Sequence, residues 1–217
     1  SENTSKELVA DMEKIREFLQ IDTWVLFGGS WGSTLSLLYA QAYPARVQAL
    51  ILRGIFLARQ CDLDWLYKDG ANRIFPDCWN DFVRAIPDSE RGDLLQAYHS
   101  RLLGEDELAR MAAAKAWSAW EGSCSKLRPS SVALAEFTKP HNALALSRIE
   151  THFFINKCFI KENQLLENME EIKDIPGIIV HGRYDMVCPL NNAAALHKQW
   201  PASELHIIRD AGHSASE

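Results

Sequence analysis

Hydrophobic positions along this chain change period twice, and the changes divide it into three stretches. Leu8, Val9, Met12, Ile15, Phe18 and Leu19 recur at helical spacing and predict an amphipathic helix near the start. The short apolar run Trp24-Val25-Leu26 reads as a strand, residues 34–40 as an apolar helix, and residues 47–52 as a second strand. Strand, helix, strand predicts parallel pairing, because the crossover helix returns the chain in the same direction. From about residue 57 to 165 the pattern is helical, best seen in Leu94-Leu95-Tyr98-Leu102 and Leu108-Met111-Ala112-Trp117, with few strand candidates. Strand–helix–strand logic resumes at about 174, through residues 176–182, 193–196 and 205–208. The expected organisation is therefore an α/β core built from 1–56 and 174–217, interrupted by an all-helical cap over 57–173. Within the cap, Pro129-Ser130-Ser131 is a loop and helix-start signal.

Candidate chemistry lies where predicted strands end. Gly28-Gly29-Ser30-Trp31-Gly32 joins the first strand to its helix, and G-x-S-x-G in that setting places a serine on a strained turn with its hydroxyl exposed. Ser30 is the candidate nucleophile. Gly28 and Gly32 are expected to be small because strand and helix pass close together there. The Trp31 N–H, at the helix start, is a candidate oxyanion donor. Ser33 is a weaker rival because no glycine follows two residues later. A serine needs a base and a group to orient that base. Asp185 follows the strand at 176–182, and His213 lies on the loop after the strand at 205–208. They are the candidate acid and base, with Asp210 a competitor for the acid. The other six histidines, His99, His141, His152, His181, His197 and His206, lack the strand-then-loop setting and read as structural or surface residues.

Composition narrows the classes. A chain of 217 residues with 47% hydrophobic content can bury a sizeable core, and its net charge of −6 offers no basic footprint for nucleic acid. No apolar run approaches the roughly twenty residues that span a bilayer, so no membrane partner is expected. The five cysteines, at 61, 78, 124, 158 and 188, are widely spaced without a C-x-x-C pair or zinc spacing. They suit a reducing cytoplasm better than a disulfide scaffold.

The motifs together resemble the proline iminopeptidases (prolyl aminopeptidases), serine exopeptidases of the α/β-hydrolase fold. The resemblance runs along essentially the whole chain: Gly28-Gly29-Ser30-Trp31-Gly32-Ser33-Thr34-Leu35, Leu52-Arg53-Gly54-Ile55-Phe56, Trp120-Glu121-Gly122, Arg148-Ile149-Glu150, Gly182-Arg183-Tyr184-Asp185 and Gly212-His213-Ser214. It implies release of N-terminal proline from peptides with a free N-terminus, with no metal or organic cofactor. Ser30, Asp185 and His213 match the triad, and Glu121 and Glu150 match the acidic pair that holds the substrate's amino end. Two carboxylates suit that task, because a cationic imino group needs anionic partners and a blocked N-terminus would leave their charge unmatched. Phe56, Phe154 and Cys188 match the apolar ring-binding residues by position. A further aromatic expected after Trp65 is Leu66 here, followed by Tyr67.

Departures from the family lie at the ends. Its members carry earlier strands and a His-Gly-Gly-Pro loop that donates a second oxyanion N–H, and they continue into a final helix. The chain is therefore expected to be a fragment of a longer enzyme, with a sheet face and edge left bare. The alternatives are a capped esterase or arylamidase of broad specificity, which would not need both glutamates, and, for the fragment itself, a non-catalytic binder of peptide N-termini.

Overall fold

Every predicted strand forms. The computed structural model describes residues 3–128 and 130–217, and in it β1 (Trp24–Ser30), β2 (Val47–Ile55), β3 (Gly177–Gly182) and β4 (Ser203–Ile208) make one sheet in the order β1-β2-β3-β4, parallel throughout. The helices are α1 (Ser5–Phe18), α2 (Trp31–Ala42), α3 (Gln60–Tyr67), α4 (Pro76–Arg84), α5 (Leu94–Leu103), α6 (Glu107–Cys124), α7 (Ser131–Phe137), α8 (Pro140–Ile155), α9 (Gln164–Glu167) and α10 (Leu190–Lys198). Of the Pro129-Ser130-Ser131 signal, Pro129 lies outside the described residues; the Ser130 hydroxyl caps α7 by accepting from the Ala133 N–H.

One face of the sheet is packed and the other is open. Leu26, Leu50, Leu52 and Ile179 are buried against Leu37 and Tyr39 of α2, Val9 of α1 and Leu196 of α10. On the opposite face Val25, Phe27, Ile178 and Ile208 are exposed, Phe27 at 77%. The strand residues alternate as the pleat requires, and among the described residues no helix covers the second apolar set. The same holds for α1. Its helix forms as predicted, and Thr4 caps it by accepting from the Glu7 N–H. Its apolar stripe is only partly used: Val9 is buried, whereas Ile15, Phe18 and Leu19 are exposed. A polar contact fastens α1 instead, with Arg16 paired to Glu13 at 2.7 Å and the Tyr39 hydroxyl donating to Glu13 at 2.6 Å.

Between β2 and β3 the described residues form helices and connecting segments. Phe82, Tyr98, Trp117 and Trp120 sit at the centre of a second core that also contains Phe56 and Cys188. Tyr67 stacks on Trp117 at 4.4 Å and Phe82 on Tyr98 at 4.5 Å. Two of the buried polar tips are satisfied: Trp120 Nε1–H donates to the Leu66 carbonyl and the Tyr98 hydroxyl to the Phe82 carbonyl. Leu165, Met169 and Ile172, before the expected boundary at 173/174, pack into the sheet core. Among the described residues no helix is long and apolar enough to cross a membrane.

The two faces give a stability contrast. Leu50→Ala, at a fully buried site in β2, should cost about 2–5 kcal/mol in urea unfolding. Phe27→Ser, on the open face, should change stability by no more than about 0.5 kcal/mol.

Candidate active site

Ser30 ends β1 and Trp31 begins α2, so the turn has no linker residue. Ser30 accordingly adopts φ 56° and ψ −123°, a sparsely populated conformation for a side chain with a Cβ. Gly28 makes the close approach possible: a Cβ there would lie 2.2 Å from the Gly32 carbonyl oxygen. The size restriction expected at Gly32 is not found, because a Cβ at that position meets nothing within 4 Å. Its Cβ direction leads away from the strand–helix contact.

Ser33, the rival nucleophile, is buried and structural. Its hydroxyl donates to the Ser30 carbonyl at 2.7 Å and accepts from the Phe56 N–H at 3.1 Å, while the Thr34 hydroxyl donates to the Phe56 carbonyl at 2.7 Å. The first turn of α2 thus grips both backbone groups of Phe56 and holds it beside Ser30.

Asp185 lies on the turn after β3 and is 3% exposed. One carboxylate oxygen accepts from the Val187 and Cys188 N–H groups, at 3.1 and 2.8 Å, and the other lies 2.8 Å from His213 Nδ1. Asp210 is exposed on the surface. His213 is held from three sides: its N–H donates to the Ser125 carbonyl at the end of α6, its carbonyl accepts from the Arg53 guanidinium at 2.9 Å, and its ring rests on Gly54. Gly54 has φ +49°, and a Cβ there would meet the imidazole Cε1 at 2.9 Å. Ser30 makes no hydrogen bond to His213 among the described residues.

A cavity of about 170 Å³ collects the remaining candidates. Ser30, Trp31, Phe56, Glu121, Glu150, Phe154 and Cys188 all line it, in a wall that is mostly apolar. Asp185 and His213 lie outside that lining and border a neighbouring cavity with Arg53 and Gly54. Glu121 comes from α6 and Glu150 from α8. Trp117 Nε1–H donates to Glu150 at 2.6 Å, and one buried oxygen of Glu121 has no partner. Burial, and then the facing Glu121 carboxylate, push Glu150 well above the usual carboxylate range; burial likewise raises Glu121. The Cys188 thiol is pushed well up by burial, only partly offset by the Ser30 hydroxyl, so it remains protonated and forms wall. Phe56 and Phe154 meet edge to face at 5.9 Å.

Sequence reasoning passed over Tyr67. It lines the cavity beside Leu66, and its buried hydroxyl has no partner. The signal was present one residue past the position where an aromatic was expected, and only the phase of α3 turns it inward. Two unsatisfied buried polar atoms in one apolar cavity are costly without a ligand, since each loses its water. The arrangement suits a small cationic group carried on an apolar body, held next to the half-buried Ser30.

Comparison with known proteins identifies the family. The sequence model of the alpha/beta hydrolase fold matches residues 1–217. The chain is 53% identical over 216 residues to a proline iminopeptidase of Xylella fastidiosa, covering 99% of this chain and 69% of that protein. It is 52% identical over 217 residues to a proline iminopeptidase of Xanthomonas citri, covering 100% and 69%. An alpha/beta fold family hydrolase from Bacillus anthracis superposes with a TM-score of 0.61 at 22% identity, over 98% of this chain and 70% of that one.

Gly54→Ala tests the His213 seat. The left-handed backbone should cost about 1–2 kcal/mol, and displacement of the imidazole should slow labelling of Ser30 by a fluorophosphonate probe in protein that remains folded.

Proposed function

We propose, on the premise that this chain belongs to the proline iminopeptidase family of the α/β-hydrolase fold, that it is a serine aminopeptidase releasing N-terminal proline from peptides. The observation that carries this reading is the glutamate pair, with one unpartnered oxygen, inside the same apolar cavity as Ser30. The helices α3 to α8, within residues 57–173, act as a cap that brings Glu121 and Glu150 over the nucleophile, while Leu165, Met169 and Ile172 join the core formed by 1–56 and 174–217.

The substrate's cationic imino group sits between Glu121 and Glu150, and its ring lies against Phe56, Phe154 and Cys188. That placement presents the first peptide carbonyl to Ser30. His213, oriented by Asp185, takes the Ser30 proton as the oxygen attacks. The Trp31 N–H, backed by the α2 dipole, stabilises the oxyanion. His213 then returns the proton to the departing peptide amine, and water attacks the acyl-enzyme to free proline. A cavity of about 170 Å³ with the two glutamates in its lining has room for about one residue on that side of the scissile bond, which fits exopeptidase action. Five unpaired cysteines support placement in the reducing cytoplasm.

Substrate discrimination tests the proposal. The full-length protein should hydrolyse a proline arylamide and leave its N-acetyl form intact, and Ser30→Ala should reduce the rate to background. Cleavage of the blocked compound would favour the broad esterase or arylamidase instead. Glu121→Gln and Glu150→Gln should each raise KM about ten- to hundredfold, the worth of a hydrogen bond to a charged group.

The raised glutamates set the sign of a pH effect. Only ionised carboxylates attract the cation, so affinity falls as pH drops through a range above that of an ordinary carboxylate. Glu150→Gln removes the carboxyl raised further and leaves Glu121, raised by burial alone, so the acid limb of 1/KM should then move to lower pH.

A further inference from the structure

His181 is fully buried in β3, where sequence reasoning set it aside as structural. Its two ring nitrogens are committed to different elements. Nδ1 lies 3.1 Å from the Ile55 N–H at the end of β2, which can only donate, so Nδ1 accepts and the ring proton sits on Nε2. Nε2–H then donates to the Cys188 carbonyl at 2.8 Å and stands 3.5 Å from the Asp185 oxygen that faces His213. Desolvation lowers the His181 pKa, with the Asp185 charge opposing in part, so the ring is neutral and leaves that charge to His213.

The turn it holds is the one that matters. Residues 185–188 carry the carboxylate that orients His213 and the Cys188 wall of the cavity. Inside the turn, the Val187 and Cys188 N–H groups fix one Asp185 oxygen. Nothing within the turn fixes the Cys188 carbonyl; His181 does so from the sheet. At the other end, Ile55 adjoins Gly54, on which the His213 ring rests. His181 therefore spans the gap between the seat of the base and the turn of the acid.

We propose that His181 is a positioning residue for the acid–base pair: through Nε2–H it locks the turn of residues 185–188 and aims Asp185 at His213. This rests on the aminopeptidase reading. The role is distinct from core filling, because it depends on one nitrogen and not on the ring's volume.

Two amide substitutions separate the nitrogens. In His181→Gln the side-chain amide reaches the place of Nε2 and donates to Cys188. In His181→Asn it reaches only the place of Nδ1 and accepts from Ile55. With proline arylamide and the full-length protein, His181→Gln should keep kcat within about threefold. His181→Asn should lose about tenfold to a hundredfold in kcat, the usual effect of a misplaced catalytic group, with KM within about twofold. Equal kcat losses in both, a smaller loss in His181→Asn, or an effect carried by KM would overturn the proposal. A second measurement needs no variant. In wild-type protein with ¹⁵N-labelled histidine at mildly alkaline pH, His181 should show the Nε2–H tautomer; an Nδ1–H tautomer would overturn it. A wild-type protein inactive on the arylamide, or active after Ser30→Ala, would instead defeat the aminopeptidase reading and leave the tautomer result standing.

Discussion

The site depends on a strand that becomes a helix without a linker. Placing Ser30 at the junction forces φ to 56°, a strain of about 1–3 kcal/mol that the surroundings must offset. Two features do so: Gly28 lets the first turn of α2 close onto β1, and Ser33 and Thr34 bind the backbone of Phe56. The nucleophile is thereby aimed by rigid elements. The same hydrogen bonds place the first wall of the cavity.

Around that fixed point the chain sets two carboxylate arrangements with opposite electrostatics. Asp185 is buried but saturated, accepting two backbone N–H groups and facing His213, so its charge is held where it orients the base. Glu121 and Glu150 are buried facing each other, with Trp117 donating to Glu150, and burial raises both. A raised, under-satisfied pair is poised for an incoming cation; a saturated carboxylate is not. The contact between the Ser125 carbonyl and the His213 N–H joins the end of the Glu121 helix to the loop of the base, so the two arrangements share one scaffold.

How much of this was legible in the sequence differs element by element. The four strands were, because their apolar runs are short and bounded by turns, and the motif Gly28-Gly29-Ser30-Trp31-Gly32 carried its own geometry. The covered length of α1 was not. Ile15 and Phe18 keep helical spacing yet remain exposed, since periodicity reports that a face is apolar and says nothing of what lies opposite. Gly32 was misjudged for a related reason: a glycine's need depends on where an absent Cβ would point.

The sequence by itself determined the strands along the chain and the glycine-flanked turn at Ser30, and offered candidates in the order serine, acid, histidine, because each follows from local period and turn chemistry. Only the tertiary structure set Asp185 against His213 and left Asp210 on the surface, turned Tyr67 into the cavity, and brought Glu121 and Glu150 together from two different helices. Those outcomes depend on the phase and packing of helices that meet only after folding. The tautomer of His181 belongs with them, since it is dictated by an N–H on β2 far away in the chain.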